Sequence, residues 1–440
     1  MRHLIFIATF LLFSSFGISS ERTTAISLDG RLNTPFISHH GGKVYLHVSI
    51  HAPKLESRAR RPMNLAVVLD RSGSMADDRK IDYAKKALHS LIDQLEEKDL
   101  FSLVIYDDEI DVLTSGRRVT DKRKLHRMVD DISPRNTTNL GGGMLEGFAQ
   151  VEKNLDREYV NRVILISDGL ANRGIVDPYE LRRRARTYRN QSISLTTIGV
   201  GLDYNENMMV GLSESGGGNY YFIESPRNFA TIVSKEFNQL SAVVAQNAML
   251  ELSLGRGVRL HDVIGCERES RGDRNRIPLG DIYSGEYREL TFELEVPEGT
   301  GSLLVARGEL QFDDERGRID RKPSFTTTVR YTRNIVEVDK NRDLETQAKV
   351  DVALSTRSIE RAMKALDEGK KGEALQLIQS TQQELGASPA AMTGGTGSGR
   401  LREQRSRLDS YKQQLLDSAD ARRAKKAIQF ENYQVQRGKK

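Results

Sequence analysis

MNLAVVLDRSGSMA, residues 63–76, runs from an apolar stretch straight into a polar turn that contains glycine. Met63 and Leu65 to Leu69 are all apolar, broken only by Asn64, which is the pattern of a strand buried on both faces. Such a strand has no room for polar side chains along its length, so chemistry collects where its C-terminal end meets a loop. Here that loop is Asp70-Arg71-Ser72-Gly73-Ser74. Asp70, Ser72 and Ser74 alternate, so a bend at Gly73 can turn three oxygen-bearing side chains toward one point. Oxygen-only ligands suit a hard divalent cation, Mg²⁺, Mn²⁺ or Ca²⁺, rather than zinc.

Two later stretches complete such a site. Asn136-Thr137-Thr138-Asn139-Leu140, followed by Gly141-Gly142-Gly143, reads as a loop that opens the amphipathic run Met144, Leu145, Phe148, Val151. VILISDG, residues 163–169, is a second apolar strand ending in Asp168-Gly169. Two parallel strands that each end in aspartate, with a hydroxyl loop between them in sequence, converge on one edge of a sheet. Around them strands and helices alternate from residue 63 to about 240, which predicts a doubly wound α/β sheet. Helix 79–96 carries Ile81, Ala84, Leu88, Leu91, Ile92 and Leu95 at helical spacing. Asp107-Asp108, between the strands at 101–106 and 109–113, reads as a hairpin turn rather than as further ligands. The arginine cluster 182–186 reads as the solvated face of a helix at 177–189.

At these residues the chain resembles the von Willebrand factor type A domain with its metal-ion-dependent adhesion site, whose pattern is D-x-S-x-S, then a threonine, then an aspartate. Asp70, Ser72, Ser74, Thr138 and Asp168 match all five positions. Thr138 rather than Thr137 is the match, because the family threonine usually precedes Asn before a run of small residues. The resemblance implies a Rossmann-like α/β fold and a cation held by Ser72, Ser74 and Thr138, with Asp70 and Asp168 direct or through water. It further implies a protein partner that supplies an Asp or Glu carboxylate to the cation, in adhesion or scaffolding. The order of segments is also similar to that of bacterial exported type A proteins, some described as homologues of calcium-activated chloride channel regulators. The HExxH protease motif of the animal regulators is absent.

A chain of 440 residues exceeds what one core usually serves. Residues 1–20 read as a secretory signal peptide: LIFIATFLLFSSFGI, residues 4–18, is almost wholly apolar, follows Arg2, and precedes Ser19 and Ser20. An N-terminal membrane anchor is the alternative. Either way the expected location is periplasmic or extracellular. Cys266 is the lone cysteine, so no internal disulfide forms and stability rests on the cores.

Residues 21–60 hold one clear strand, 43–50, with Val44, Leu46, Val48 and Ile50 on one face. The α/β domain takes residues 61–242. Residues 243–334 alternate with period two between glycine-rich turns, the signature of an antiparallel β-sandwich. An unpaired one-faced strand is a liability, so strand 43–50 is expected to join that sandwich, with the α/β domain inserted between its strands. Arg271-Gly272-Asp273 reads as a polar hairpin tip. Residues 335–385 read as a helical hairpin that must dock on something to bury its apolar face. Residues 386–400, rich in Gly, Ser and Ala, read as a flexible linker. Residues 401–440 read as a basic, partly helical, solvated tail. From Arg400 onward twelve Lys/Arg face five Asp/Glu, enough to attract an anionic envelope surface.

Taken together, these readings predict an exported protein that grips a carboxylate-bearing partner through Mg²⁺, Mn²⁺ or Ca²⁺. A chiefly structural role in an envelope complex is the alternative. Nothing in the chain reads as a nucleic-acid-binding motif. Hydrolase chemistry finds no support either: there is no P-loop, and Ser72 stands where a haloacid dehalogenase phosphatase needs a second aspartate.

Overall fold

The computed structural model describes residues 26–54, 60–266, 268–271, 274–313, 322–417 and 421–438. The signal-peptide reading of residues 1–20 lies outside the described residues, as do Gly272 and Asp273 of the Arg-Gly-Asp tripeptide. Among the described residues no helix is long and apolar enough to cross a membrane.

The chain opens with three strands, β1 (Ser27–Leu32), β2 (Phe36–Ser38) and β3 (Gly42–His51). It then enters the α/β domain at β4 (Met63–Asp70), whose eight residues are all buried. The remaining strands there are β5 (Leu100–Tyr106), β6 (Ile110–Arg118), β7 (Val160–Ser167), β8 (Ser194–Val200) and β9 (Gly217–Ile223). Their order in the sheet is β6-β5-β4-β7-β8-β9, parallel throughout except for β6. Alternation along β4 serves two cores at once. Leu65, Val67 and Leu69 face α1 (Lys80–Gln94), α2 (Lys122–Asp130) and α6 (Phe229–Ser241); Ala66 and Val68 face α3 (Leu140–Glu152), α4 (Pro178–Arg189) and α5 (Glu206–Ser215).

Gly141, Gly142 and Gly143 are the first turns of α3 and not a loop. Glycine costs a helix about 1 kcal/mol relative to alanine, and here close packing offsets it. A Cβ on Gly143 would fall 2.6 Å from the Tyr106 ring, and one on Gly147 would fall 2.3 Å from Val68. The bare face lets α3 lie flat on β4 and β5, which brings its N-terminal end to the sheet edge where β4 stops.

After α6 the chain returns through β10 (Val243–Leu254), β11 (Arg259–Ile264), β12 (Glu269–Arg271), β13 (Arg274–Tyr283), β14 (Tyr287–Val296), β15 (Ser302–Asp313) and β16 (Ser324–Thr332). These strands form a sandwich together with β1–β3. One sheet runs β1-β3-β14-β11 and the other β12-β13-β10-β15-β16-β2. β3 pairs antiparallel with β14, Leu46 opposite Phe292 and Val48 opposite Leu290, so the α/β domain is inserted between two strands of one sandwich. The junction is sealed by a buried polar network. Arg162 of β7, in the α/β sheet, donates to Asp281 of β13 at 2.6 Å and to Thr196 at 3.1 Å, with Glu236 of α6 3.9 Å away.

Among the described residues five α-helices follow: α7 (Ile335–Lys340), α8 (Leu344–Asp367), α9 (Lys371–Ala387), α10 (Thr396–Asp417) and α11 (Ala421–Gln436). Two expectations are corrected here. Residues 386–400 are not a slack linker: Ala390 is buried, and α10 begins at Thr396. The small residues allow close helix contact, since a Cβ on Gly397 would sit 3.1 Å from that of Ala348. Nor are the described residues of 401–440 a solvated tail. Leu401, Leu408, Tyr411 and Leu415 share one buried face of α10 and pack in a core with residues of α8 and α9. α11 crosses to the α/β domain, where Phe430 and Tyr433 meet Tyr220 edge-on. Lys425 and Lys426 are buried there and both bond Glu206, so part of the basic excess is neutralised inside the protein.

Glu289 of β14 ties the helical unit to the sandwich through Lys349 (3.3 Å) and Arg400 (3.4 Å), and it also contacts His47 of the neighbouring β3 (3.3 Å). Burial opposes its ionisation, but these partners prevail and hold its carboxyl down at about 2. A depressed carboxyl contributes stability above its unfolded value and loses it as pH falls toward the folded one. Acid titration followed by circular dichroism is therefore expected to show loss of stability between about pH 4.5 and 2, on the order of 3 kcal/mol, and Glu289→Gln is expected to remove that step. Arg162→Met leaves Asp281 and Glu236 buried without their cation and is expected to cost about 3–5 kcal/mol in urea denaturation.

Candidate functional site

Asp70 closes β4 and is fully buried. One carboxylate oxygen accepts the Ser72 backbone N–H at 2.8 Å; the other accepts the Ser167 hydroxyl at 2.7 Å and the Tyr106 hydroxyl at 3.3 Å. Burial raises its carboxyl to about 6, against hydrogen bonds from the Ser72 side chain and backbone, and the neighbouring Asp168 charge adds to the rise.

Asp168 follows directly on β7 and is equally buried. It accepts the Ser74 hydroxyl at 2.8 Å on one oxygen and the Lys80 ammonium at 2.7 Å on the other. The Ser72 and Ser74 hydroxyl oxygens stand 3.2 Å apart. Thr138 lies two residues before α3, next to the helix cap Asn139. A Cβ built on Gly169 would sit 3.4 Å from the Thr138 hydroxyl and 3.7 Å from that of Ser74, so these two hydroxyls converge over the same glycine. Asp70, Ser72, Ser74, Thr138 and Asp168 thus meet at one point, on the C-terminal edge of the sheet between β4 and β7. Gly73, Thr137, Leu170 and Asn172 form an exposed rim around it.

The hydrogen bonds decide what the cluster can hold. Ser74 donates its hydroxyl proton to Asp168, and the Ser72 hydroxyl oxygen lies 3.2 Å from that of Ser74, so serine oxygen lone pairs are left for a ligand. Carboxylates placed behind ligand groups orient them and raise their basicity. Neutral hydroxyl oxygens in front and carboxylates behind suit Mg²⁺ or Mn²⁺, with the aspartates acting through water. The donor set contains no imidazole or thiolate, so it does not suit zinc.

Backbone bonds fasten the threonine loop to the Asp70 loop. Arg135 N–H donates to the Arg71 carbonyl at 2.7 Å, Gly73 N–H to that of Asn136 at 3.1 Å, and Asn139 N–H to that of Asp107 at 2.7 Å. Asn172 clasps Thr138 from the other side, its side-chain oxygen accepting the Thr138 N–H at 3.0 Å. Asp107 does more than turn a hairpin. It is fully buried and bridges Arg71, at 3.0 Å, and Arg135, at 2.5 Å, one from each loop.

Sequence reasoning misses Lys80, Ser167, Tyr106 and this role of Asp107. Ser167 carried a signal, as the first polar residue after an apolar strand. Lys80 carried none, because a lysine six residues beyond Ser74 reads as an ordinary helix residue.

Comparison with known proteins bears on the fold. Residues 64–235 match the von Willebrand factor type A domain family. The uncharacterized protein YfbK of Escherichia coli (strain K12) is 28% identical over 258 residues, which is 57% of this chain and 45% of YfbK, so the alignment spans less than half of that relative. In solved structures, a von Willebrand factor type A protein from Catenulispora acidiphila superposes with a TM-score of 0.73 at 15% identity, over 94% of this chain and 97% of that one. The ArnB paralog VWA2 from Sulfolobus acidocaldarius gives 0.63 at 19%, over 94% and 98%. At such identities the two structures establish a shared fold that extends beyond the α/β domain. None of these three relatives is described as a chloride-channel regulator.

Asp107→Ala removes the buried one of the two carboxylates paired with Arg71, leaving it only Asp111, and unties the two loops. It is expected to cost about 3 kcal/mol in thermal or urea unfolding, and to lower Mn²⁺ uptake without any change in the five oxygen-bearing residues.

Proposed function

We propose that this protein binds a partner protein through a divalent cation held at the Asp70–Ser72–Ser74–Thr138–Asp168 cluster. Type A domains typically serve protein interaction and adhesion, mostly without catalysis, and the site supports that role in this chain. The carrying observation is that the Ser74 hydroxyl, bonded to buried Asp168, lies 3.2 Å from the Ser72 hydroxyl and converges with that of Thr138 over Gly169, so three neutral oxygens gather beside two buried carboxylates.

A bound Mg²⁺ or Mn²⁺ would supply an electron-poor centre for a partner's Asp or Glu carboxylate. The chain's own residues do the rest. Ser72, Ser74 and Thr138 present hydroxyl oxygens; Asp70 and Asp168 balance charge from behind. Ser167 and Tyr106 keep Asp70 oriented. The tied loops hold Thr138 in register with the serines. Exposed Leu170, directly after Asp168 and Gly169, offers an apolar contact beside the carboxylate position. Export is part of the same reading, supported by the apolar run at residues 4–18.

Asp70→Ala and Ser72→Ala are each expected to abolish divalent-dependent partner capture and lower Mn²⁺ affinity at least about tenfold. The fold should survive, with a loss of no more than about 2 kcal/mol. Isothermal titration with Mn²⁺ and pull-down in Mg²⁺ against EDTA measure both effects. Partner binding that persists unchanged in EDTA counts against the proposal.

A further inference from the structure

Lys80 is out of place by ordinary rules. It is the first residue of α1, yet a helix N-terminus carries partial positive charge and disfavours a cation. It is also buried, with only 4% of its surface exposed, where lysine is rarely found unless paired. Its ammonium donates to Asp168 at 2.7 Å and to the Ser74 carbonyl at 3.4 Å.

The backbone is bent to put it there. Asp78 and Arg79 both adopt left-handed conformations, φ +50° and +58°, immediately before it. Two successive non-glycine residues in that region are costly and mark a constraint other than helix formation. Beside it, Gly201 at φ +75° leaves room for the side chain, since a Cβ there would lie 3.2 Å from the Lys80 Cε.

The charges facing the cluster are few. Asp70 and Asp168 are negative and Lys80 is positive. Arg71 turns its guanidinium away, toward Asp107 and Asp111. By themselves these side chains sum to one net negative charge, and a divalent cation would turn that into one net positive charge. A single carboxylate brings that to zero.

Resting on the metal reading above, we propose that Lys80 sets the charge of this site. It holds Asp168 back as a charge-paired neighbour and leaves the loaded site with one positive charge, which selects a lone carboxylate from the partner. Lys80 is a positioning residue, because it acts through Asp168 and touches no ligand. Its removal then moves two affinities in opposite directions. The metal binds more tightly, having lost a like charge, and the carboxylate binds more weakly, having lost the excess positive charge.

The test uses the full chain, with Mn²⁺ and acetate as probes. Mn²⁺ affinity is read from the electron paramagnetic resonance signal of the free ion. Acetate binding is read from water-proton relaxation of the Mn²⁺-loaded protein, as acetate displaces bound water. For Lys80→Met the Kd for Mn²⁺ is expected to fall about tenfold and the half-effective acetate concentration to rise about tenfold. Lys80→Gln, which retains a polar contact to Asp168, is expected to follow the same pattern and serves if the methionine variant does not fold. A purely structural lysine would weaken both affinities together, and that result overturns the proposal. So do unchanged affinities, or failure of both variants to fold. If the unmodified protein takes up no Mn²⁺, the metal reading itself is overturned and this inference falls with it.

Discussion

Two carboxylates buried side by side are the constraint to which the rest of the site answers. Asp70 and Asp168 end adjacent parallel strands with no exposed surface, and Asp168 contributes to the upward push on the Asp70 carboxyl. A fold that removes two like charges from water must surround them with donors. It does so with Ser72, Ser167 and Tyr106 around Asp70, and with Ser74 and Lys80 around Asp168. The geometry that suits a hard cation follows from this arrangement. With Ser74 bonded to Asp168 and the Ser72 oxygen 3.2 Å from it, neutral hydroxyl oxygens stand beside the buried carboxylates.

The same need for partners shapes the architecture beyond the site. Arg162 is buried at the base of the α/β sheet, and its carboxylate Asp281 comes from the sandwich. Glu206, near the start of α5, is matched by Lys425 and Lys426 of α11. Glu289 on the sandwich is matched by Lys349 and Arg400 from the helical unit. Each junction between units thus carries an ion pair whose members lie far apart in sequence. Pairs of this kind are costly to break from one side, because the survivor is left buried and charged. They hold the inserted domain, the sandwich and the terminal helices in a fixed relation.

Glycine plays two opposite parts in this chain, and composition alone does not separate them. In α3 the glycines are packing surfaces, bare so that Tyr106 and Val68 can approach. Gly397 serves the same purpose between α10 and α8. At Gly201 the need is conformational as well as steric, with a positive φ beside the Lys80 side chain. Reading the first two as slack loop is the natural error, because glycine enrichment is the usual mark of both.

What the sequence determined by itself is local or periodic. The double-sided apolar run of β4, the alternating oxygens after it, the second aspartate after β7 and the period-two stretches of the sandwich are all set by spacing along the chain, and spacing survives in a one-dimensional record. The placement of Thr138 was legible for the same reason, through its position before Asn139 and the glycines. What only the tertiary structure decided is pairing between distant groups: Lys80 with Asp168, Asp107 with two arginines, and α10 with the helices it covers. A charge or an apolar face carries no mark in the sequence of the partner that will neutralise or bury it. That choice is made when the chain closes and buried groups must find one another or stay exposed to water.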